Sequence, residues 1–219
     1  MSNDASARSD VTPGRLWIIS APSGAGKTSL VRALTQRVPR LLVSVSHTTR
    51  KRRAGEVDGV AYHFVDNATF DRMVADKQFL EHARVFDNQY GTSRPWVESR
   101  LADGNDVVLE IDWQGAQQIR LRIPRTRSVF ILPPAFDVLE QRLRGRGDDE
   151  QAIRRRMQDA RNELAHFDEY EYHVVNDDFE QALTRLAAIV EAERDGHTPP
   201  DARADALARA LLEQAGQMQ

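Results

Sequence analysis

The chain contains no cysteine, which excludes disulfide staples and thiolate metal sites. No apolar run approaches the ~18 residues a membrane-spanning helix requires, so no membrane association is expected. A basic excess is missing too: 30 Lys and Arg stand against 33 Asp and Glu, a net charge of −3. That balance argues against a nucleic-acid partner. Residues 1–14 lack the apolar segment of a secretory signal and read as a disordered tail. The six histidines are scattered without ligand spacing, and none is assigned to a metal. These absences together predict a soluble cytoplasmic protein.

What is present is a chain of 219 residues, enough for one α/β domain with insertions. Three short apolar runs read as buried strands: Leu16–Ser20, Asp106–Ile111 and Ser128–Leu132. Each precedes a helix-like stretch, at Thr28–Val38, Gln114–Arg122 and Phe136–Arg144. Val174-Val175, between a charged helix over Gln151–Phe167 and another over Phe179–Arg194, supplies a further core strand. Strands alternating with helices predict an α/β fold with a parallel sheet flanked by helices. A long insertion, roughly 44–95, separates the first two core strands. Its alternating patterns at Leu42–Val45 and Ala61–Val65 predict a small, partly antiparallel subdomain with a helix at Ala68–Asp76.

The most informative segment is Ser20-Ala21-Pro22-Ser23-Gly24-Ala25-Gly26-Lys27-Thr28. A strand, a glycine-rich turn and a helix with Lys-Thr at the turn's end form a phosphate-binding P-loop. Small residues let backbone N–H groups close around a polyphosphate, and the helix N-terminus adds a positive dipole end. Ala21 to Thr28 are therefore assigned to ATP. Lys27 reaches the outer phosphates, and the Thr28 hydroxyl ligates Mg²⁺. The strict pattern has glycine where this chain has Ala21.

Two further segments carry charge in a purposeful arrangement. Arg50-Lys51-Arg52-Arg53 is short and closely followed by Glu56 and Asp58, which disfavours a nucleic-acid patch. Planar arginine forks suit a phosphate dianion, and Tyr62 adds a hydroxyl donor. The stretch Gln141–Arg161 carries seven arginines interrupted by Gly145 and Gly147. It reads either as a solvated helical face or as a lid that closes over polyphosphate, with the glycines as hinges. Glu110 and Asp112 follow a core strand, at the edge where parallel sheets bind ligands. A general acid/base pair is the weaker reading of these two, because an anionic phosphate can attack without a base.

The stretch Thr49–Val65 has the spacing of the guanylate kinase signature, and Ala21–Thr28, Leu109–Gly115 and Arg142–Gly147 fit alongside it. The chain resembles the bacterial guanylate kinases over most of residues 15–196. The resemblance implies a P-loop core (15–43, 96–136, 167–196), a GMP-binding insertion (44–95) and a helical lid (137–166). It implies that the GMP phosphate meets Arg50, Arg53, Tyr62 and Tyr90, while guanine meets Ser46, Glu81 and Thr92. Glu110 would also contact GMP, Asp112 would serve Mg²⁺, and Asn176 would lie near the ATP adenine. Arg142, Arg146 and Arg156 would meet the transferred phosphoryl group. The segment Asp148–Ala152 is one residue shorter than the family pattern, which bears on the register of Arg156. The implied activity is Mg²⁺-dependent transfer of phosphate from ATP to GMP, and to dGMP. The alternative is a guanylate-kinase-like protein-interaction module that has lost catalysis.

The physical logic of the guanine set stands beside the resemblance. Guanine presents N1–H and N2–H₂ as adjacent donors, which one carboxylate can accept together. Adenine has an acceptor at N1, so the same carboxylate rejects it. Beyond His197, a Thr-Pro-Pro linker leads to an expected helix at Asp201–Gln214, within an extension over 197–219. Leu207, Leu211 and Leu212 share one face, with Ala204, Ala208 and Ala215 nearby. That stripe fits docking on the core or on a second copy of the chain, which leaves a homo-oligomer open.

Overall fold

The computed structural model describes residues 12–85, 87–145, 150–197 and 205–217. The chain opens with β1 (Leu16–Ser20), α1 (Lys27–Arg37) and β2 (Leu41–Val43). Next come β3 (His47–Thr48), β4 (His63–Phe64), α2 (Asn67–Ala75), β5 (Phe79–Val85) and β6 (Asn88–Ser93). The core resumes with α3 (Arg94–Ala102), β7 (Asp106–Leu109), α4 (Trp113–Arg122) and β8 (Arg127–Leu132). Then follow α5 (Phe136–Arg144), α6 (Glu150–Leu164), a 3₁₀ turn at Phe167–Glu169, β9 (Tyr172–Val175), α7 (Phe179–Arg194) and α8 (Asp205–Gln217).

Five strands form one parallel sheet of order β2-β7-β1-β8-β9. Every residue of β1 is buried, as expected of a central strand covered by helices on both faces. This is why its first four residues, Leu16 to Ile19, are all apolar rather than alternating. The lower edge is knitted by Asp106, which accepts the Trp17 indole N–H (3.3 Å), the Arg15 amide (2.7 Å) and Arg194 Nε (2.9 Å). Four strands form a second, mixed sheet of order β4-β3-β6-β5. Among the described residues no helix is long and apolar enough to cross a membrane.

Several expectations need correction. Leu42–Val45, read as part of the insertion, instead begins in β2, which pairs in parallel with β7 at the edge of the core sheet. Three apolar residues in a tetrapeptide fit either sheet; the α1 crossover decides, because it returns the chain beside β7. The segments around Glu81 and Tyr90, where the sequence pattern marked no strands, form the β5–β6 hairpin. Their polar side chains disguised strands whose buried positions include Glu81 and Thr92. Helix α3 was not anticipated; Pro95 sits in its first turn, where proline's missing N–H costs nothing. The charged helix expected over 151–167 ends at Leu164, before the 3₁₀ turn.

Of the expected N-terminal tail, residues 1–11 lie outside the described residues. Gly14 donates to the Leu101 carbonyl at 2.8 Å, so the chain is fixed from there. In the C-terminal extension, 198–204 lie outside the described residues and α8 begins at Asp205. Its Ala208 and Leu211 are buried in the main apolar cluster, and the helix packs on α5 and α6. The leucine stripe therefore docks in cis, on α5 and α6.

Candidate active site

The P-loop connects the buried end of β1 to α1 by a turn that only small residues permit. Gly24 and Gly26 have φ of +95° and +92°, a region that disfavours side chains. Gly26 is also the N-cap of α1 and offers no side-chain acceptor to the first-turn amides. These amides are thus left for an anion. Asn176, buried behind the loop, donates through Nδ2 to the Ala25 carbonyl at 2.7 Å. A Cβ added to Gly26 would approach that Nδ2 to 2.3 Å. Arg142 donates through Nη2 to the Asn176 carbonyl at 3.2 Å. Its Nη1 is buried without a hydrogen-bond partner among the described residues.

Two adjoining cavities, of about 350 and 420 Å³, open beside this loop and share Ser23, Lys27, Thr28, Ser46, Tyr62 and Glu110. The first extends to Glu81, Tyr90 and Asp112; the second extends to Arg50, Arg53 and Arg156. Residues scattered over more than a hundred positions thus surround one continuous space.

Glu81 lies on β5 opposite Thr92 on β6. The Thr92 hydroxyl donates to Glu81 Oε1 at 2.5 Å, and both side chains are buried. Thr92 therefore sits behind Glu81 and acts through it. A Cβ on Gly115 of α4 would come within 2.7 Å of Glu81 Oε2, so that glycine leaves room for the carboxylate. Burial pushes the Glu81 carboxyl up to about 7, against the opposing pull of the Thr92 hydrogen bond. Arg50 is held by Glu56 at 2.6 Å, and this hydrogen bond raises its pKa. The same guanidinium lies 5.3 Å from the centre of the Tyr62 ring, a cation–π distance. Tyr62 and Tyr90 meet edge to face at 5.8 Å. Glu56 supplies this positioning unforeseen, although an acidic residue six positions after an arginine in a loop was a readable signal.

On the phosphate side, Glu110 Oε2 accepts the Thr28 hydroxyl at 3.1 Å and lies 3.8 Å from Lys27 Nζ. Glu110 thus stands between the P-loop and the space beneath Arg50. Asp112 is the N-cap of α4, its carboxylate accepting the Gly115 amide at 2.9 Å. Burial raises its pKa, opposed by that amide and by Lys27. Helix α6 contributes Arg156 to the second cavity and Glu163 to the first. Burial, and next the Asp112 carboxylate, push Glu163 up to about 8. Glu163 had not been anticipated; its place seven residues after Arg156, two helical turns along the same flank of α6, was the available signal. Arg146 lies outside the described residues.

A P-loop, a polyphosphate-sized space and arginines converging on it define a phosphotransferase of the nucleotide-binding α/β class. Comparison with known proteins narrows this class. The guanylate kinase family model matches residues 13–193. The guanylate kinase of Chromohalobacter salexigens is 55% identical over 200 residues, covering 91% of this chain and 93% of that protein. That of Methylococcus capsulatus is 59% identical over 185 residues, covering 84% and 91%. The crystal structure of guanylate kinase from Anaplasma phagocytophilum superposes with a TM-score of 0.71 at 33% identity, covering 83% of this chain and 87% of that one. The chain belongs to the guanylate kinase family.

Proposed function

We propose that this protein transfers the γ-phosphoryl group of ATP to GMP, giving ADP and GDP, in cytoplasmic purine nucleotide metabolism. The observation that carries this reading is the buried Glu81, backed by Thr92 and facing the same cavity as Lys27 and Thr28. In its ionised form Glu81 accepts N1–H and N2–H₂ of guanine together, a pairing that adenine cannot make. Ser46, lining both cavities, supports the guanine site. Arg50, Arg53, Tyr62 and Tyr90 bind the GMP phosphate. No 2′-hydroxyl contact is needed for any of these roles, so dGMP is a substrate too.

In the transfer step an anionic oxygen of the GMP phosphate attacks the γ-phosphorus. The bond from that phosphorus to the β–γ bridging oxygen breaks, and the electron pair leaves with ADP. No general base is required; catalysis consists of alignment and charge neutralisation. Lys27 and the P-loop amides hold the ATP phosphates, while Arg142, Arg146 and Arg156 of the lid neutralise charge as it spreads over the transferred group. The oxygen donors Thr28 and Asp112 suit Mg²⁺, a hard cation that keeps several waters and binds through few protein ligands plus phosphates. When bound, Mg²⁺ screens the β- and γ-phosphate charge. Asn176 acts from behind the P-loop by holding the Ala25 carbonyl. The phosphate machinery is intact from Lys27 to Arg156, which argues against a module that has lost catalysis.

The test is ADP formation from ATP and Mg²⁺ with GMP, AMP, UMP, CMP and dTMP supplied separately. Turnover with GMP far above the others is expected. Preference for another base would overturn the assignment of Glu81, and no turnover from folded protein would overturn the activity.

A further inference from the structure

A carboxylate that touches a P-loop competes with the phosphates the loop is shaped to hold. Glu110 is such a group. Its Oε2 accepts the Thr28 hydroxyl at 3.1 Å and lies 3.8 Å from Lys27 Nζ. The Lys27 and Glu110 side chains are 23% and 20% exposed, so water screens the pair only in part. Thr28 is the residue assigned to Mg²⁺, and Lys27 the one assigned to the ATP phosphates. An anionic oxygen already lies against both.

The backbone at Glu110 is pinned from two directions. Before it, Val108 and Leu109 are buried in the core sheet, and the Ser44 amide donates to the Val108 carbonyl at 2.9 Å. After it, the buried Ser20 hydroxyl donates to the Ile111 carbonyl at 2.7 Å, and Asp112 caps α4. Side-chain rotation is what remains to move the carboxylate. It has somewhere to go, because Glu110 lines both cavities. The first contains Glu81, proposed to read guanine, and the second contains Arg50 and Arg53, proposed for the GMP phosphate. A nucleotide with its base in one and its phosphate in the other lays its sugar across the junction, beside Glu110. The 3′-hydroxyl, which GMP and dGMP share, is a donor that can replace that of Thr28.

We propose that Glu110 is a two-position carboxylate that couples the two substrate sites. It rests on Lys27 and Thr28 until GMP binds, then turns to the GMP sugar and frees both groups for ATP and Mg²⁺. GMP shifts this equilibrium through a contact it makes in only one of the two positions. Linkage makes the effect reciprocal, so ATP with Mg²⁺ tightens GMP binding by the same factor. The inference rests on the GMP reading of the cavities and adds to it a coupling between acceptor and donor.

The test is the calorimetric Kd of a non-hydrolysable ATP analogue with Mg²⁺, measured with and without saturating GMP. Wild type, Glu110→Ala and Glu110→Gln are compared in the full chain. GMP should tighten the analogue about fivefold or more in wild type. Without GMP, Glu110→Ala should bind the analogue about fivefold more tightly than wild type, and its gain from GMP should be smaller by the same factor. Glu110→Gln keeps an acceptor for Thr28 but no charge against Lys27, and should fall between the two. A wild type with no GMP gain would overturn the proposal. So would an equal gain in wild type and Glu110→Ala, since Glu110 would then merely repel phosphate. Weaker analogue binding by Glu110→Ala without GMP would overturn it as well, because Glu110 would then serve Mg²⁺. Crystal structures of wild type without nucleotide and with GMP alone give a second reading. The carboxylate should lie on Thr28 in the first and off it in the second; the same position in both would contradict the coupling. Should the Ala variant fail to fold, the Gln variant and these two structures decide. Failure of wild type to phosphorylate GMP would strike the function, while the affinity of Glu110→Ala for the analogue without GMP would still read the P-loop contact.

Discussion

The two ends of the active cavity are built from different materials. At the end proposed to hold the ATP phosphates, the cavity is lined by the P-loop, shaped by Gly24 and Gly26 and braced by Asn176. At the guanine end it is lined by side chains from separate strands, with Glu81 held by Thr92 across a hairpin. A backbone cradle has no protonation state and cannot be retuned by substitution without altering the fold. A buried carboxylate can be retuned by one proton. The nucleotide-binding power of this protein is therefore expected to be insensitive to pH at one end and sensitive at the other.

The largest expected break comes at the phosphate end, where Lys27 is the one cationic side chain of the loop. Lys27→Ala should lower kcat about a thousandfold or more, because charge neutralisation is most of the catalysis in phosphoryl transfer. Circular dichroism should show the fold unchanged, as Lys27 supports no core packing.

At the guanine end, Glu81→Gln should lower kcat/KM for GMP about a hundredfold, since its amide turns a donor toward a donor. Steady-state kinetics with varied GMP would show this mainly in KM. The same variant should not melt earlier than wild type at pH 8. Burial raises the folded-state pKa of Glu81 above its ordinary value, to about 7. Its contribution to stability is thus full below the ordinary carboxylate range and is lost as pH rises through about 7. A neutral glutamine escapes that penalty, and thermal melts at pH 6 and pH 8 would reveal it.

A third difference concerns pH directly. GMP needs the ionised carboxylate, so its KM should rise about tenfold per pH unit as pH falls below the Glu81 pKa, and level off above it. Glu81→Gln should abolish this dependence. The smallest effect is expected at Thr92→Val, which removes one hydrogen bond to Glu81. A loss of about 1 kcal/mol, or several-fold in KM for GMP, should appear together with an upward shift of the same pH profile.

How much of this was legible in the sequence follows the same division. The P-loop was readable because a backbone site is specified by neighbouring residues: strand, small residues, Lys27, Thr28. Helices α5 and α7 were readable to their ends, because apolar periodicity and flanking polar residues are local as well. The β5–β6 hairpin was not, since its strands carry Glu81, Asn88, Gln89 and Thr92, and polar residues in a strand mimic a turn. Glu81 alone is indistinguishable from a surface carboxylate; only the guanylate kinase resemblance singled it out. That Thr92 lies behind Glu81, and Asn176 behind the P-loop, depends on cross-strand register and on β9 meeting the loop. Neither is encoded within a short window. The edge strand β2 was misplaced for the same reason: its partner β7 lies more than sixty residues away.

The central claim is that one cavity divides its labour, base reading by Glu81 and phosphate chemistry by Lys27. The most direct test is the calorimetric Kd of GMP, without ATP, in Lys27→Ala and Glu81→Gln beside wild type. The account expects Glu81→Gln to weaken GMP binding at least about fiftyfold, and Lys27→Ala to change it by no more than about threefold. Equal weakening in both variants, or normal GMP binding in Glu81→Gln, would contradict it.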